Sequence, residues 1–172
     1  MILLPHSLIE RSLTGRPRAE IVVRMQTAGL SDRIRGHIEA PASKRRYVRT
    51  LFGRIARRYD LTNDVMSLGR HRAWKRLALG LADIRAGHVV LDLAAGTGDF
   101  GIGAIREAPG SLVVAADLTW EMMAEGRKRS GGERVRWLQC DATHLPFADG
   151  CVDRVLIGYG LRNFPDLGWC LE

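Results

Sequence analysis

A chain of 172 residues with 46% hydrophobic composition has material for one core, which excludes two large domains. Its formal charge of +7 is unevenly placed: residues 1–58 carry 13 Lys/Arg against 4 Asp/Glu, and residues 59–172 carry 13 against 15. The basic excess therefore belongs to the N-terminal segment, which weakens a nucleic-acid reading of the domain behind it. Cys140, Cys151 and Cys170 are odd in number and contain no C-x-x-C pair, so neither a disulfide framework nor a metal site is expected, and a reducing cytoplasm fits best. No apolar run approaches the ~20 residues that span a bilayer, and Pro5 cuts short the apolar start of the chain. A cytoplasmic protein is expected, at most peripheral to the inner face of a membrane.

In chain order, residues 1–43 show weak periodicity and are punctuated by Pro5, Gly15, Pro17, Gly29, Gly36 and Pro41. This predicts a poorly ordered basic extension, with one short helix around residues 19–27, that is dispensable for the fold. Residues 44–81 turn helical. Val48, Leu51, Phe52, Ile55 and Tyr59 recur on one face, followed by Trp74, Leu77, Ala78 and Leu81, as in a helical cap ahead of a sheet.

Four apolar runs of strand length follow, at residues 88–94, 111–118, 135–140 and 152–159, and helix-length segments at 99–107 and 120–129 separate the first three. Strand and helix alternate, which predicts an α/β fold: a Rossmann-like, doubly wound parallel sheet over residues 87–172, within one domain of residues 44–172. Trp120, Met122 and Met123 mark the buried side of the second helix. The fourth run is apolar enough to want a neighbour at its edge, and the residues after it supply none. The sheet is therefore expected to be incomplete at the C-terminus, with an edge left for a partner or for self-association.

The run Val89-Val90-Leu91-Asp92-Leu93-Ala94-Ala95-Gly96-Thr97-Gly98-Asp99 is a buried strand entering a glycine turn and a helix start. Glycines let the backbone approach a ligand, and the helix N-terminus offers unpaired N–H groups. Gly96, Gly98 and Gly101 spell G-x-G-x-x-G, and Asp117 follows at the end of the second strand, where a carboxylate meets a ribose diol. Both NAD and S-adenosylmethionine carry such a diol. Asp92 separates them, because an extra negative charge suits an ammonium and a sulfonium better than a pyrophosphate. Asp141, closing the third strand, is placed for an adenine amine, with the Ala142 N–H for a ring nitrogen. Three carboxylates at three successive strand ends thus point to S-adenosylmethionine and a methyltransferase type of sheet.

The stretch Tyr59-Asp60-Leu61-Thr62-Asn63-Asp64-Val65-Met66-Ser67-Leu68-Gly69-Arg70-His71-Arg72-Ala73-Trp74-Lys75 resembles the signature of the ubiquinone/menaquinone biosynthesis C-methyltransferases (UbiE/MenG), with Thr62 where that family usually has Met. The Asp92-to-Asp99 loop, Ala116-Asp117, Leu145-Pro146-Phe147 and Gly160-Leu161-Arg162-Asn163 resemble it in the same order, over about residues 47–167. The resemblance implies methyl transfer from S-adenosylmethionine to a ring carbon of a polyprenyl benzoquinol or naphthoquinol. It also implies cofactor contacts at Thr97, Asp117, Asp141 and Ala142. Asp141 stands where the family often has Asn, and Gly158 where Ser is common. Family chains continue well past Asn163, so a C-terminally truncated member, with little activity on its own, is expected.

Methylation of carbon needs a hydrogen-bonding or positive group at the developing quinolate. Arg162 and Asn163, just past the fourth strand, are the candidates, with His71 as the proton acceptor and Trp120 flanking the adenine. Two alternatives stand beside this reading. One is a nucleic-acid or other small-molecule methyltransferase, resting on Lys44-Arg45-Arg46 and Arg57-Arg58, stretches that equally suit a solvated helix face or anionic lipid. The other is a non-catalytic remnant that only binds the cofactor.

Overall fold

The computed structural model describes residues 20–23 and 41–163, with side chains for residues 45–160 and Asn163. Five strands form one parallel sheet: β1 (Glu20–Val23), β2 (Val89–Leu93), β3 (Leu112–Asp117), β4 (Arg136–Gln139) and β5 (Arg154–Ile157), in the order β1-β5-β2-β3-β4. The helices are α1 (Pro41–Ile55), α2 (Tyr59–Ser67), α3 (Arg70–Leu81), α4 (Asp99–Glu107) and α5 (Trp120–Arg127). The expected alternation of strand and helix is present, and α4 has the bounds that the glycine turn predicts.

The helical cap is three helices rather than one run. Pro41 supplies the first helical position of α1, where its missing N–H costs nothing. Between α2 and α3 the backbone turns through the left-handed region at Leu68 (φ 49°) and Gly69 (φ 72°), and the Gly69 N–H donates to the Asp64 carbonyl at 2.9 Å. That bond satisfies an end carbonyl of α2 as the chain reverses.

Strand pleating divides the core between the two faces of the sheet. On one, Val90, Val113, Ala115 and Leu156 pack with Phe100, Ile102, Ala104 and Ile105 of α4 and with Ala78 and Leu79 of α3. On the other, Leu91, Leu93, Ala116 and Ile157 lie against half-buried Leu138, Leu145, Phe147 and Val155. Register brings the strand ends level: Leu93 stands beside Ala116 and Ile157, and Asp117 beside Gln139. The loops that leave β2, β3, β4 and β5 therefore open at one edge of the sheet.

The N-terminal extension departs from expectation. Residues 20–23 are a strand, not part of a helix across 19–27, and they pair in parallel with β5 from Glu20 opposite Arg154 to Val23 opposite Ile157. With β2 on its other side, β5 is not the unpaired edge that the sequence suggested. Ile21, Val22 and Val23 are β-branched, and a pairing partner outweighs their weak local signal. A double substitution, Ile21→Pro with Val22→Pro, removes at least one amide facing β5 and should destabilise the fold by about 1–3 kcal/mol. Denaturant melts read the loss, and apolar-dye fluorescence should rise; a variant indistinguishable from the parent in both would show that the pairing contributes nothing.

Candidate functional site

A crevice opens where the strand ends meet. Its floor is Asp92 to Gly96 from β2 and its turn, Asp117 to Thr119 after β3, Cys140 to Thr143 after β4, and Gly158, Tyr159, Gly160 and Asn163 after β5. The cap roofs it with Arg45, Val48 and Phe52 of α1, Tyr59 of α2 and Lys75 of α3. Phe52 and Tyr59 meet edge to face, with ring centroids 5.8 Å apart. That contact fixes the α1–α2 corner over the crevice.

The three strand-end carboxylates all line this crevice, each in a different electrostatic state. Asp92 is 1% exposed and accepts the Gly101 N–H at 2.7 Å. Burial pushes its carboxyl up to about 7, with the nearby Asp99 and Asp117 charges adding to the rise against the Gly101 hydrogen bond and Lys75. Asp117 accepts the Gly96 N–H and the Thr119 N–H, one on each oxygen at 2.7 Å. Burial raises its carboxyl as well, despite those bonds. Asp141 accepts from the Thr143 N–H at 3.0 Å, the Thr143 hydroxyl at 2.8 Å and the Arg45 guanidinium at 2.9 Å. Burial opposes its ionisation, yet the Thr143 and Arg45 bonds hold it below the ordinary carboxylate value.

A fourth carboxylate, Asp99 at the start of α4, is neutralised twice. Lys75 of α3 and Arg129 beyond α5 each take one of its oxygens. These two cations outweigh burial and hold Asp99 low. Arg129 also donates to the Thr97 carbonyl at 3.0 Å, and the Thr97 hydroxyl donates to Asp60 of α2 at 2.9 Å. Cap, glycine turn and the end of α5 are thereby tied at one point.

Glycine is required at two places for different reasons. Gly98 has φ 74°, and a Cβ there would run into the Trp137 ring, which is anchored by its indole N–H on the Gly132 carbonyl at 2.8 Å. Gly160 brings the turn after β5 against Ala94, where a Cβ would collide with the Ala94 methyl. Gly96 (φ 58°) lies over Met122, so the turn and α5 close together. Gly96, Thr97, Ala142 and Asn163 line the crevice. Gly98 shapes the turn from behind instead.

Other candidates are placed differently. His71 is 4% exposed at the α2–α3 junction, with Nδ1 2.8 Å from the Ser67 hydroxyl and Nε2 3.6 Å from Asp64. Burial, and then Lys75, lower its pKa. It is a packed imidazole of the cap and is not brought to the crevice. Trp120 is 46% exposed, with Arg127 stacked 5.0 Å from its ring centre, while Met122 and Met123 are buried. One turn of α5 carries both, but the Met side is the buried one, and Met122 lines the crevice. Arg162 has its backbone in the turn Tyr159–Asn163, and its side chain lies outside the described residues.

Sequence reasoning missed Arg45, Lys75, Tyr59 and Tyr159 as crevice residues. Lys75 had a signal: it lies one helical turn past His71 and follows Trp74, so it lies inside the cap, and it sits 5.6 Å from the centre of the Tyr159 ring. Arg45 had none beyond a basic stretch.

The raised carboxyl of Asp92 makes a stability prediction. In the unfolded chain an Asp loses its proton near pH 4, whereas the folded protein keeps this one until about 7. Folded protein binds more protons across that window, so this group's contribution to stability falls as pH rises through it. Asp92→Asn keeps an acceptor for the Gly101 N–H and removes the titration. The stability gap in favour of the variant should grow by about 2–3 kcal/mol between pH 5 and pH 8. Urea melts of the ligand-free proteins at the two pH values check this, and a gap that does not change with pH refutes it.

Comparison with known proteins matches this geometry. The profile of the ubiE/COQ5 methyltransferase family covers residues 40–172. The ubiquinone/menaquinone biosynthesis C-methyltransferase UbiE of Paracoccus denitrificans is 42% identical over 72% of this chain and 51% of its own. The demethylmenaquinone methyltransferase of Thermus thermophilus is 45% identical over 67% of this chain and 54% of its own. The chain thus spans about half the length of the curated relatives it matches. A chain of the Haloferax volcanii Trm112 methyltransferase-activator complex shares the fold, with a TM-score of 0.58 at 24% identity over 70% of this chain and 52% of its own. The sheet order, the glycine turn and the family profile agree, and the chain belongs to the ubiE/COQ5 methyltransferase family.

Proposed function

We propose that this chain binds S-adenosylmethionine in the crevice and serves transfer of its methyl group to a ring carbon of a polyprenyl benzoquinol or naphthoquinol. The observation that carries the reading is the convergence of Asp92, Asp117 and Asp141 on one crevice that the glycine turn also lines. The charge state of the floor fits a cationic ligand. Burial raises the carboxyl groups of both Asp92 and Asp117, the Asp117 charge adds to the rise at Asp92, and the cations Lys75 and Arg129 are paired with Asp99. A ligand carrying an ammonium and a sulfonium supplies the charge that the floor lacks.

Asp117 would hold the ribose diol, since the Gly96 and Thr119 N–H groups fix the carboxylate plane and leave further lone pairs on both oxygens. Asp141 and Ala142 would take the adenine edge, beneath Arg45. When bound, the cofactor supplies an electrophilic methyl group, for which a quinol ring carbon made electron-rich by deprotonation is the acceptor. Asn163, which lines the crevice as Tyr159 does, would hydrogen-bond the quinol oxygen, with the Lys75 ammonium near the Tyr159 ring and paired with Asp99. The apolar roof of Val48, Phe52 and Tyr59 excludes water from that charge.

The test has two arms. Calorimetric titration of the chain with S-adenosylmethionine should show binding that Asp117→Ala weakens by about 2–4 kcal/mol, the cost of losing hydrogen bonds to a charged acceptor. Incubation with methyl-labelled cofactor and a short-chain demethylquinol, under reducing conditions, should place label on the ring carbon. Unchanged affinity in the Asp117 variant, or label on a hydroxyl oxygen, overturns the assignment.

A further inference from the structure

Helix α2 is amphipathic in the wrong direction for a packed helix. None of its residues is buried. Leu61 is 64% exposed, Val65 67%, and Leu68, just past its end, 88%. Spaced at i, i+4 and i+7, these three form one outward stripe, and Met66 beside them is 79% exposed. An outward row of large aliphatic side chains on a surface helix marks a contact with another phase or molecule.

Charge decides which. Residues 41–81 contain eleven Lys/Arg and two Asp/Glu. Both acids are engaged within the protein, Asp60 with the Thr97 hydroxyl and Asp64 with Arg72. Four of the cations, Arg45, Arg57, Arg72 and Lys75, face carboxylates at Asp141, Glu125, Asp64 and Asp99; the excess that remains is positive, and Arg57 and Arg58 stand exposed just before α2. Two such caps repel one another, which disfavours a second copy of this chain. A nucleic acid would answer the charge and leave the aliphatic stripe in water. An anionic bilayer answers both.

We infer that the α2 face of the cap is a docking surface for an anionic lipid bilayer, with the Leu61–Val65–Leu68 stripe seated among the acyl chains and the arginines on the headgroups. The placement suits the crevice behind it: α2 begins at Tyr59, which roofs that crevice. A quinol with a polyprenyl tail dissolved in the same bilayer would then reach the roof without crossing water. This benefit rests on the proposed substrate, and the docking surface itself does not.

Vesicle co-sedimentation of the 172-residue chain tests it, using phosphatidylcholine alone and phosphatidylcholine mixed with phosphatidylglycerol. The chain should partition onto the mixed vesicles and not onto phosphatidylcholine. The variant Leu61→Gln/Val65→Gln/Leu68→Gln should lose roughly tenfold in partition, because lost acyl-chain burial acts directly on the binding constant. Arg57→Gln/Arg58→Gln should weaken partition less and reduce its salt dependence. All five positions lie on the surface away from the crevice lining, so calorimetric affinity for S-adenosylmethionine should not move. Equal partition of parent and aliphatic variant overturns the proposal. So does a parent that fails to bind mixed vesicles, or one whose stripe proves to hold a dimer that the aliphatic variant splits. Loss of cofactor binding by the parent, with vesicle binding intact, would strike the proposed function and leave the docking surface standing.

Discussion

Asp99 is the point on which the site is assembled. It opens α4, where the unpaired N–H groups of the first turn favour a negative charge, and it is clamped from two sides by Lys75 and Arg129. Lys75 belongs to the cap and Arg129 follows α5, so one carboxylate fastens a helix N-terminal to the sheet and a segment between β3 and β4 onto the same turn. Arg129 reaches on to Thr97, and Thr97 to Asp60 of α2. The glycine turn is flexible by composition; these five side chains tie it to the cap and to the segment after α5.

The same clamp sets the charge of the crevice. Lys75 and Arg129 are paired with Asp99, and Asp92 and Asp117 sit in a poorly solvated floor with no cation of their own within ion-pair distance among the described residues. Burial raises both carboxyl groups, and the charges of Asp99 and Asp117 add to the rise at Asp92. A ligand-free domain bears that cost in stability, and a cationic ligand relieves it. Asp141 is the contrast: Arg45 supplies its counter-charge and Thr143 two hydrogen bonds, so the β4 end of the crevice is electrostatically satisfied while the floor at β2 and β3 is not.

How far the sequence speaks depends on how local the determining contact is. Strands β2, β3, β4 and β5 and helix α4 are legible because hydrophobic runs and the glycine turn are written within a dozen residues of one another. Asp92, Gly96, Asp117 and Asp141 come together because parallel register makes strand ends coincide, a rule that needs no side-chain detail. Strand β1 is illegible for the opposite reason: Glu20–Val23 has four residues, and its partner Arg154–Ile157 lies more than a hundred positions away in sequence. His71 and Trp120 misled in a third way. Each sits on the expected helix, but rotation about the helix axis decides whether a side chain meets the crevice, and short amphipathic segments fix that rotation poorly. Tight sites such as Gly98 against Trp137 are visible only once β4 and α4 are placed side by side.

The cap shows how a helix can be held without giving up its apolar face. Helix α2 is fixed by polar ties: Asp60 to Thr97, Asp64 to Arg72, the Ser67 hydroxyl to the Asn63 carbonyl and to His71, and the Gly69 N–H to the Asp64 carbonyl. A helix anchored by its core side would have spent Leu61 and Val65 on packing; this one keeps them outside. Because the Asp60 tie ends on Thr97, the position of α2 and the conformation of the glycine turn are set by one hydrogen-bonded chain. The helix that carries the outer stripe and the turn that lines the crevice are therefore positioned by the same contacts. Side-chain polar contacts have defined geometry, so they orient α2 where most surface helices rely on apolar packing, and they leave its aliphatic side chains outside.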